Sequence, residues 1–189
     1  MNPCFPLYCA APISWYAGII GSGRICLANE DSFSGHPCMN RIAFTGKQGK
    51  QSFSIPLVHK SRHGAYSQVE ISYRTNWHRQ LVNALRTCYG KSPFFEYFDY
   101  RLEPIILKEH RYLWDLNYAI LEETLKCIKM PVVLDIVASS GASIQGLDSG
   151  FEKTYYQVFA EDTGFVPNLS ILDLLFNEGT DAMAVLTEG

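Results

Sequence analysis

Phe5-Pro6-Leu7-Tyr8-Cys9, then Pro12-Ile13-Ser14-Trp15-Tyr16-Ala17-Gly18-Ile19-Ile20-Gly21-Ser22-Gly23, then Ile25-Cys26-Leu27-Ala28: these three segments open the chain and decide its class. The first and third are short apolar runs of strand length. The middle one places Trp15, Tyr16, Ile19 and Ile20 at helical spacing and stops at a glycine pair. A strand, a crossover helix and a second strand favour parallel pairing, because parallel neighbours need a connection of about a dozen residues or more. The expected class is therefore α/β, with a mixed α+β arrangement as the alternative.

Further along, the period changes to two. Ile42 and Phe44 alternate with Arg41 and Ala43, and Phe53, Ile55 and Leu57 alternate with Ser52, Ser54 and Pro56. Gly46-Lys47-Gln48-Gly49 supplies the turn of a β-hairpin, and Pro56 marks an edge or a strand end. Val69 and Ile71 begin another short strand. Trp77, Leu81, Leu85 and Cys88 share one helical stripe closed by Gly90, and Ser92-Pro93 reads as the start of the next helix. Helices are expected from Phe94 to about Lys108, with Pro104 kinking or shortening the first, and from Leu113 to about Lys126. Val132 to Val137 reads as a buried strand. Near the C-terminus, Ser170 and Gly179 bracket Ile171-Leu172-Asp173-Leu174-Leu175-Phe176-Asn177-Glu178, so helix capping accounts for Ser170 and Asp173 without catalysis.

With 189 residues, nearly half of them hydrophobic (47%), the chain has enough apolar material for one sizeable core, and residues 1–189 are read as a single domain. That domain would hold a mixed sheet, an N-terminal strand-helix-strand unit, a β-hairpin and a central helical segment. The net charge of −3 argues against nucleic acid as a partner. The basic runs Lys47 to Lys50 and His59-Lys60-Ser61-Arg62-His63 read as solvated turns. No stretch is long and apolar enough to span a bilayer, and the first residues do not suit a signal peptide. The expected location is the cytoplasm, where the six cysteines, none in Cys-x-x-Cys spacing, would be reduced thiols.

Motifs for cofactors are sparse. The glycines of Gly18 to Gly23 follow a helix instead of a strand, so they do not form a dinucleotide loop. Ser139-Ser140-Gly141-Ala142-Ser143 is a candidate anion cradle, although strand-exit turns use the same residues. No Asp-x-Asp pair and no zinc spacing occurs, so no metal is expected. Glu30, directly after the second strand, could act as a base, while His59 and His78 are candidate proton acceptors at cellular pH. His36-Pro37-Cys38 brings an imidazole near a thiol, the minimum for a cysteine-dependent amidohydrolase. Asn40-Arg41 offers an amide and a planar fork for a carboxylate or phosphate.

Several blocks together resemble the WbqC-like family along nearly the whole chain. They are Ala11-Pro12-Ile13-Ser14-Trp15-Tyr16, Asn40-Arg41, Phe53 to Lys60, Trp77 to Tyr97, Leu113-Trp114-Asp115-Leu116-Asn117, and Tyr156-Gln157 to Gly179. The resemblance implies an association with O-antigen and surface-polysaccharide gene clusters and a transferase, with glycine as a proposed transferred group. On that basis the expected substrate is a nucleotide-linked amino sugar. An activated acyl donor is implied, of unknown identity, and the oligomeric state is open. Site residues expected for this chemistry are His59, His78 and Glu30 as proton acceptors, with Asn40, Arg41, Lys60, Asp115, Asn117 and Asn177 binding substrate. The alternative is a non-catalytic binding subunit of a polysaccharide-assembly complex.

Overall fold

Two strands of the opening unit pair in parallel, as the crossover helix requires: β1 (Cys4–Phe5) lies beside β2 (Arg24–Ala28), and α1 (Ile13–Ile19) connects them. The computed structural model describes residues 4–139 and 151–187. The later elements follow as α2 (Pro37–Asn40), β3 (Arg41–Gly46), β4 (Gly49–Ser54), α3 (Trp77–Tyr89), α4 (Phe95–Leu107), α5 (Leu113–Cys127), β5 (Val133–Val137), α6 (Ala160–Thr163), α7 (Ile171–Glu178) and α8 (Ala182–Thr187). The α/β class holds, with the strands divided between a parallel sheet in the order β1-β2-β5 and a separate antiparallel β3-β4 hairpin. Ile25 and Leu27 of β2, Trp15 and Tyr16 of α1, and the apolar stripes of α3, α4, α5 and α7 all belong to one buried hydrophobic cluster.

The first strand is shorter than the apolar run from Phe5 to Cys9 suggests. Pro6 has no N–H for the ladder, and its carbonyl accepts the indole N–H of Trp15 at 2.8 Å. Leu7 then gives its carbonyl to the Tyr66 hydroxyl at 2.9 Å, and Cys9 donates to Cys38 O at 2.8 Å. The run is buried, but its hydrogen bonds go to α1, α2 and the turn at Tyr66 instead of to a neighbouring strand. Cys4 and Cys26 stand in register on neighbouring strands, Cα atoms 4.4 Å apart, and join as a disulfide. This corrects the expectation of reduced thiols for that pair; Cys9, Cys88 and Cys127 form no disulfide among the described residues.

The strand at Val132 to Val137 also differs in one respect. It pairs with β2 alone among the described residues, so Val133 and Ile136 remain about half exposed (49% and 50%) and the strand is an edge instead of a buried centre. Val69 to Ile71 contributes only isolated bridges, Glu70 to Tyr112 and Ile71 to Leu57. Ser92 does not cap α4. Phe94 spends its N–H on Phe176 O (3.0 Å), a partner on α7, and the helix starts one residue later at Phe95. Pro104 is accommodated inside α4, within the last turn. Ser139 lies within the described residues, while the rest of the candidate anion cradle, Ser140 to Ser143, falls outside them.

The C-terminal helix forms as its caps dictate. Ser170 Oγ accepts the Leu172 N–H at 3.2 Å and donates to Ala10 O at 2.8 Å, so one hydroxyl caps α7 and fastens it to the N-terminal loop. Backbone bonds extend that junction: Ile13 N to Leu169 O, Ile171 N to Ala11 O and Ser170 N to Ala43 O, each 2.9 Å.

Candidate functional site

The residues expected to gather around a substrate fall into separate places. Glu30 is exposed at the exit of β2, with its N–H bonded to Ala138 O. Asp31 beside it accepts the Ser139 hydroxyl at 2.7 Å. His59 and Lys60 sit on an exposed 3-10 turn (His59–His63), which joins the same loops because Phe33 donates to Gly64 O and Tyr66 donates to Asp31 O. A shallow cleft of about 310 Å³ lies there between Phe33, Ser34, Gly35, His59, Arg62 and His63. Glu30, His59 and Lys60 thus share a loop region.

The others do not join them. Asn40 donates its amide to Ile55 O at 2.9 Å and closes the open end of the hairpin, and Arg41 donates to Ser54 Oγ at 3.1 Å from an exposed strand end. Asn117 is fully buried on α5 and donates to Met39 O (2.7 Å) and the Tyr66 hydroxyl (2.6 Å). Asn177 binds within the C-terminal region, accepting from Val158 N and donating to Asp173 O. His78 is half-buried with ring contacts to Tyr73 and Trp77, and its Nδ1 has no hydrogen-bond partner among the described residues. Asp115 is exposed in the first turn of α5. His36 caps α2 by accepting the Cys38 N–H and stacks on Tyr8, which accounts for its place beside a cysteine.

A roomier hollow lies elsewhere. Between the hairpin tip, the C-terminal end of α3 and the chain leading into α6 is a cleft of about 920 Å³, within the usual size range of small-molecule sites. Lys47, Gln48 and Gln51 line it from the hairpin, Ala84, Arg86, Thr87, Cys88, Gly90 and Lys91 from α3 and its exit, and Val158, Phe159 and Asp162 from the third side. Three cations face one carboxylate over a partly apolar floor, which favours an anionic ligand with a planar or apolar portion. Arg86 is already engaged with Asp99 and Glu103 on α4. Gly46 lets the hairpin approach α3 closely: a Cβ there would stand 3.1 Å from Cys88 Sγ. Burial pushes the Cys88 thiol up, which keeps it protonated and a poor nucleophile. Cys127 is likewise pushed up to about 11 by burial.

Behind this cleft is a polar network that the spacing of Ser170 and Asp173 does not reveal. Asp173 is completely buried. One carboxylate oxygen accepts the Tyr89 hydroxyl at 2.6 Å; the other accepts the Tyr155 hydroxyl and the Gln157 amide, the latter at 3.0 Å. Burial raises the Asp173 pKa, and the donated hydrogen bonds oppose that rise. Tyr89 and Tyr155 are raised by burial first and by the neighbouring carboxylate second, so both remain donors. Gln157 also clamps Val166, accepting its N–H and donating to its carbonyl, both at 2.9 Å.

A model of the WbqC-like protein family matches residues 12–150 and, again, 140–185. The chain belongs to this family. The match spans α1, β2 and the α7 region, so the WbqC-like assignment covers the three walls of the cleft and its supporting network. No curated protein and no solved structure matches the chain. Among the described residues of this WbqC-like protein, no helix is long and apolar enough to cross a membrane, and no group of three or more His, Cys, Asp or Glu side chains could hold a metal ion.

Proposed function

We propose that this protein is a single-domain cytoplasmic transferase of O-antigen or surface-polysaccharide biosynthesis, attaching an acyl or aminoacyl group such as glycine to a nucleotide-linked amino sugar. The observation that carries the reading is the cleft of about 920 Å³, where Lys47 and Lys91 accompany the amides of Gln48 and Gln51 and the apolar Val158 and Phe159. Ammonium groups suit the phosphates of the sugar carrier, amides suit sugar hydroxyls, and an apolar wall suits the flat base. Asp162 supplies a carboxylate that could take the proton released when the sugar amine attacks an activated acyl carbonyl. An activated donor, with a leaving group to accept the electron pair, completes the reaction. Its class is left to experiment.

One observation favours a second reading, a binding subunit without catalysis. Glu30, His59 and His78 all lie outside the cleft, and its thiol is held protonated. His78 stands ten residues before Cys88 on the same helix, about 15 Å along its axis. The two readings separate in a single assay. Purified protein is incubated with a panel of nucleotide-linked amino sugars and with thioester, adenylate and aminoacyl-tRNA donors, and the sugar is weighed by mass spectrometry. An acyl mass increment supports the transferase. Saturable binding without an increment across the panel supports the subunit, and no binding removes both.

A further inference from the structure

We infer that Asp173 is a positioning residue for the cleft, its buried carboxylate joining the three chain segments that form the cleft walls to α7 and thereby fixing their spacing. The inference rests on reading that cleft as the ligand site. From the hairpin, Thr45 donates its N–H to the Tyr89 hydroxyl at 3.2 Å, two residues before Lys47. From α3, Tyr89 passes that link to Asp173 and stands between Cys88 and Gly90, both cleft residues. From the third side, Gln157 donates to Asp173 immediately before Val158 and Phe159. Val158 is itself held by Asn177, one helical turn beyond Asp173 on α7. Each wall is anchored within two residues of at least one residue that it presents to the cleft.

Neither capping nor core filling explains an acid at this position. Ser170 already caps α7, and a carboxylate with no exposed surface carries a desolvation cost that an apolar side chain of similar volume would avoid. What an apolar residue would lack is direction. A carboxylate whose two oxygens accept from Tyr89, Tyr155 and Gln157 fixes distances and angles among segments separated by scores of residues in sequence. Tyr155 reinforces the arrangement from the same segment as Gln157. The chain leading into α6 has little helix of its own there, so these bonds, with those from Asn177 and Glu178, supply its register.

Cys88 reports on the arrangement without any ligand, because its thiol lines the cleft and is only 7% exposed. The test compares its alkylation by iodoacetamide, followed by peptide mass spectrometry, in wild type, Asp173→Asn, Tyr155→Phe and a control, Ile25→Ala, in β2 of the parallel sheet, outside the cleft lining. All are measured equally far below their thermal midpoints. Asp173→Asn places an amide donor where donors converge, and the reaction at Cys88 should accelerate about tenfold, the factor expected for one lost charge-assisted hydrogen bond. Tyr155→Phe should accelerate it less, in the same direction, and decides the matter if the Asn variant does not fold. The control should match wild type. Equal acceleration in the control, or none in either network variant, overturns the inference. Binding of UDP-glucosamine, whose free amine matches the proposed acceptor, is measured in parallel beside the other nucleotide-linked amino sugars of the panel and separates the two claims: absence of binding to wild type across the panel removes the ligand reading while the thiol rates still judge the anchoring role.

Discussion

Gly179 packs its Cα directly against the ring face of Phe94, so closely that a Cβ would overlap the ring carbons. The same residue ends α7 at φ 60°, in the left-handed region that favours glycine. Both demands are met only without a side chain. Gly179→Ala should cost roughly 2 kcal/mol or more, since backbone strain and overpacking add. Denaturant unfolding measures it, and a variant as stable as wild type would show that the Phe94 ring moves aside freely.

Lys47 and Lys91 can be removed with little effect on folding, because both are exposed and neither has an ion-pair partner among the described residues. Replacing both with alanine should change stability by no more than about 0.5 kcal/mol. Affinity for a nucleotide-linked sugar should fall about tenfold or more and lose part of its dependence on salt. Arg86→Ala should behave differently, costing up to about 1 kcal/mol of stability through its exposed pairs with Asp99 and Glu103. Isothermal titration at two ionic strengths, beside thermal unfolding, tests the contrast.

Asn117 is a structural residue despite its polarity. Its amide serves Met39 O and Tyr66 Oη inside the core, and Tyr66 in turn donates to Leu7 O. Asn117→Ala should destabilise by about 1–3 kcal/mol, because the carbonyl it served becomes a buried acceptor without a donor. Combining it with Tyr66→Phe should cost less than the sum of the two, which a double-mutant cycle reads directly.

His110 gives the stability a pH dependence whose sign is fixed by burial. Burial lowers its pKa from 6.5, Lys108 lowers it further, and the Ile105 carbonyl, 3.0 Å from Nε2, opposes them. Between the lowered value and 6.5 the unfolded chain binds the proton and the folded chain does not, so folding is favoured by rising pH. The contribution is complete above 6.5 and is lost as pH falls through the lowered pKa. His110→Gln should flatten this part of the profile, as followed by urea unfolding from pH 5 to 7. An unchanged slope would assign the dependence to another group.

The elements that the sequence revealed are those whose signals are local. Ser170 and Gly179 bracket α7 whatever lies around them, and the glycines at the hairpin turn act within a few residues; Gly49 does take a positive φ of 86°. Readings failed where a distant partner decided the outcome. Phe94 gave its N–H to Phe176 and displaced the start of α4, and Pro6 took the run after Phe5 out of the sheet. Apolar residues at Val133 and Ile136 looked buried because hydropathy does not report how many neighbours a strand will have. The cleft was invisible for the same reason. Lys47, Lys91 and Asp162 occupy three separate segments, and only tertiary packing makes them one surface. Asp173, at the spacing of a cap, turned inward to Tyr89 and Tyr155.

The junction of residues 10–13 with residues 169–171 bears on how the protein is made. The loop synthesised early must leave its polar backbone groups to water until residues 169–171 have emerged from the ribosome, and β2 must wait for β5 across more than a hundred residues. Closure of this molecule is therefore a late, slow event of its synthesis. A nascent chain stalled before Leu169 lacks α7 and α8, the helices that pack on α1, and offers chaperones that uncovered side of it.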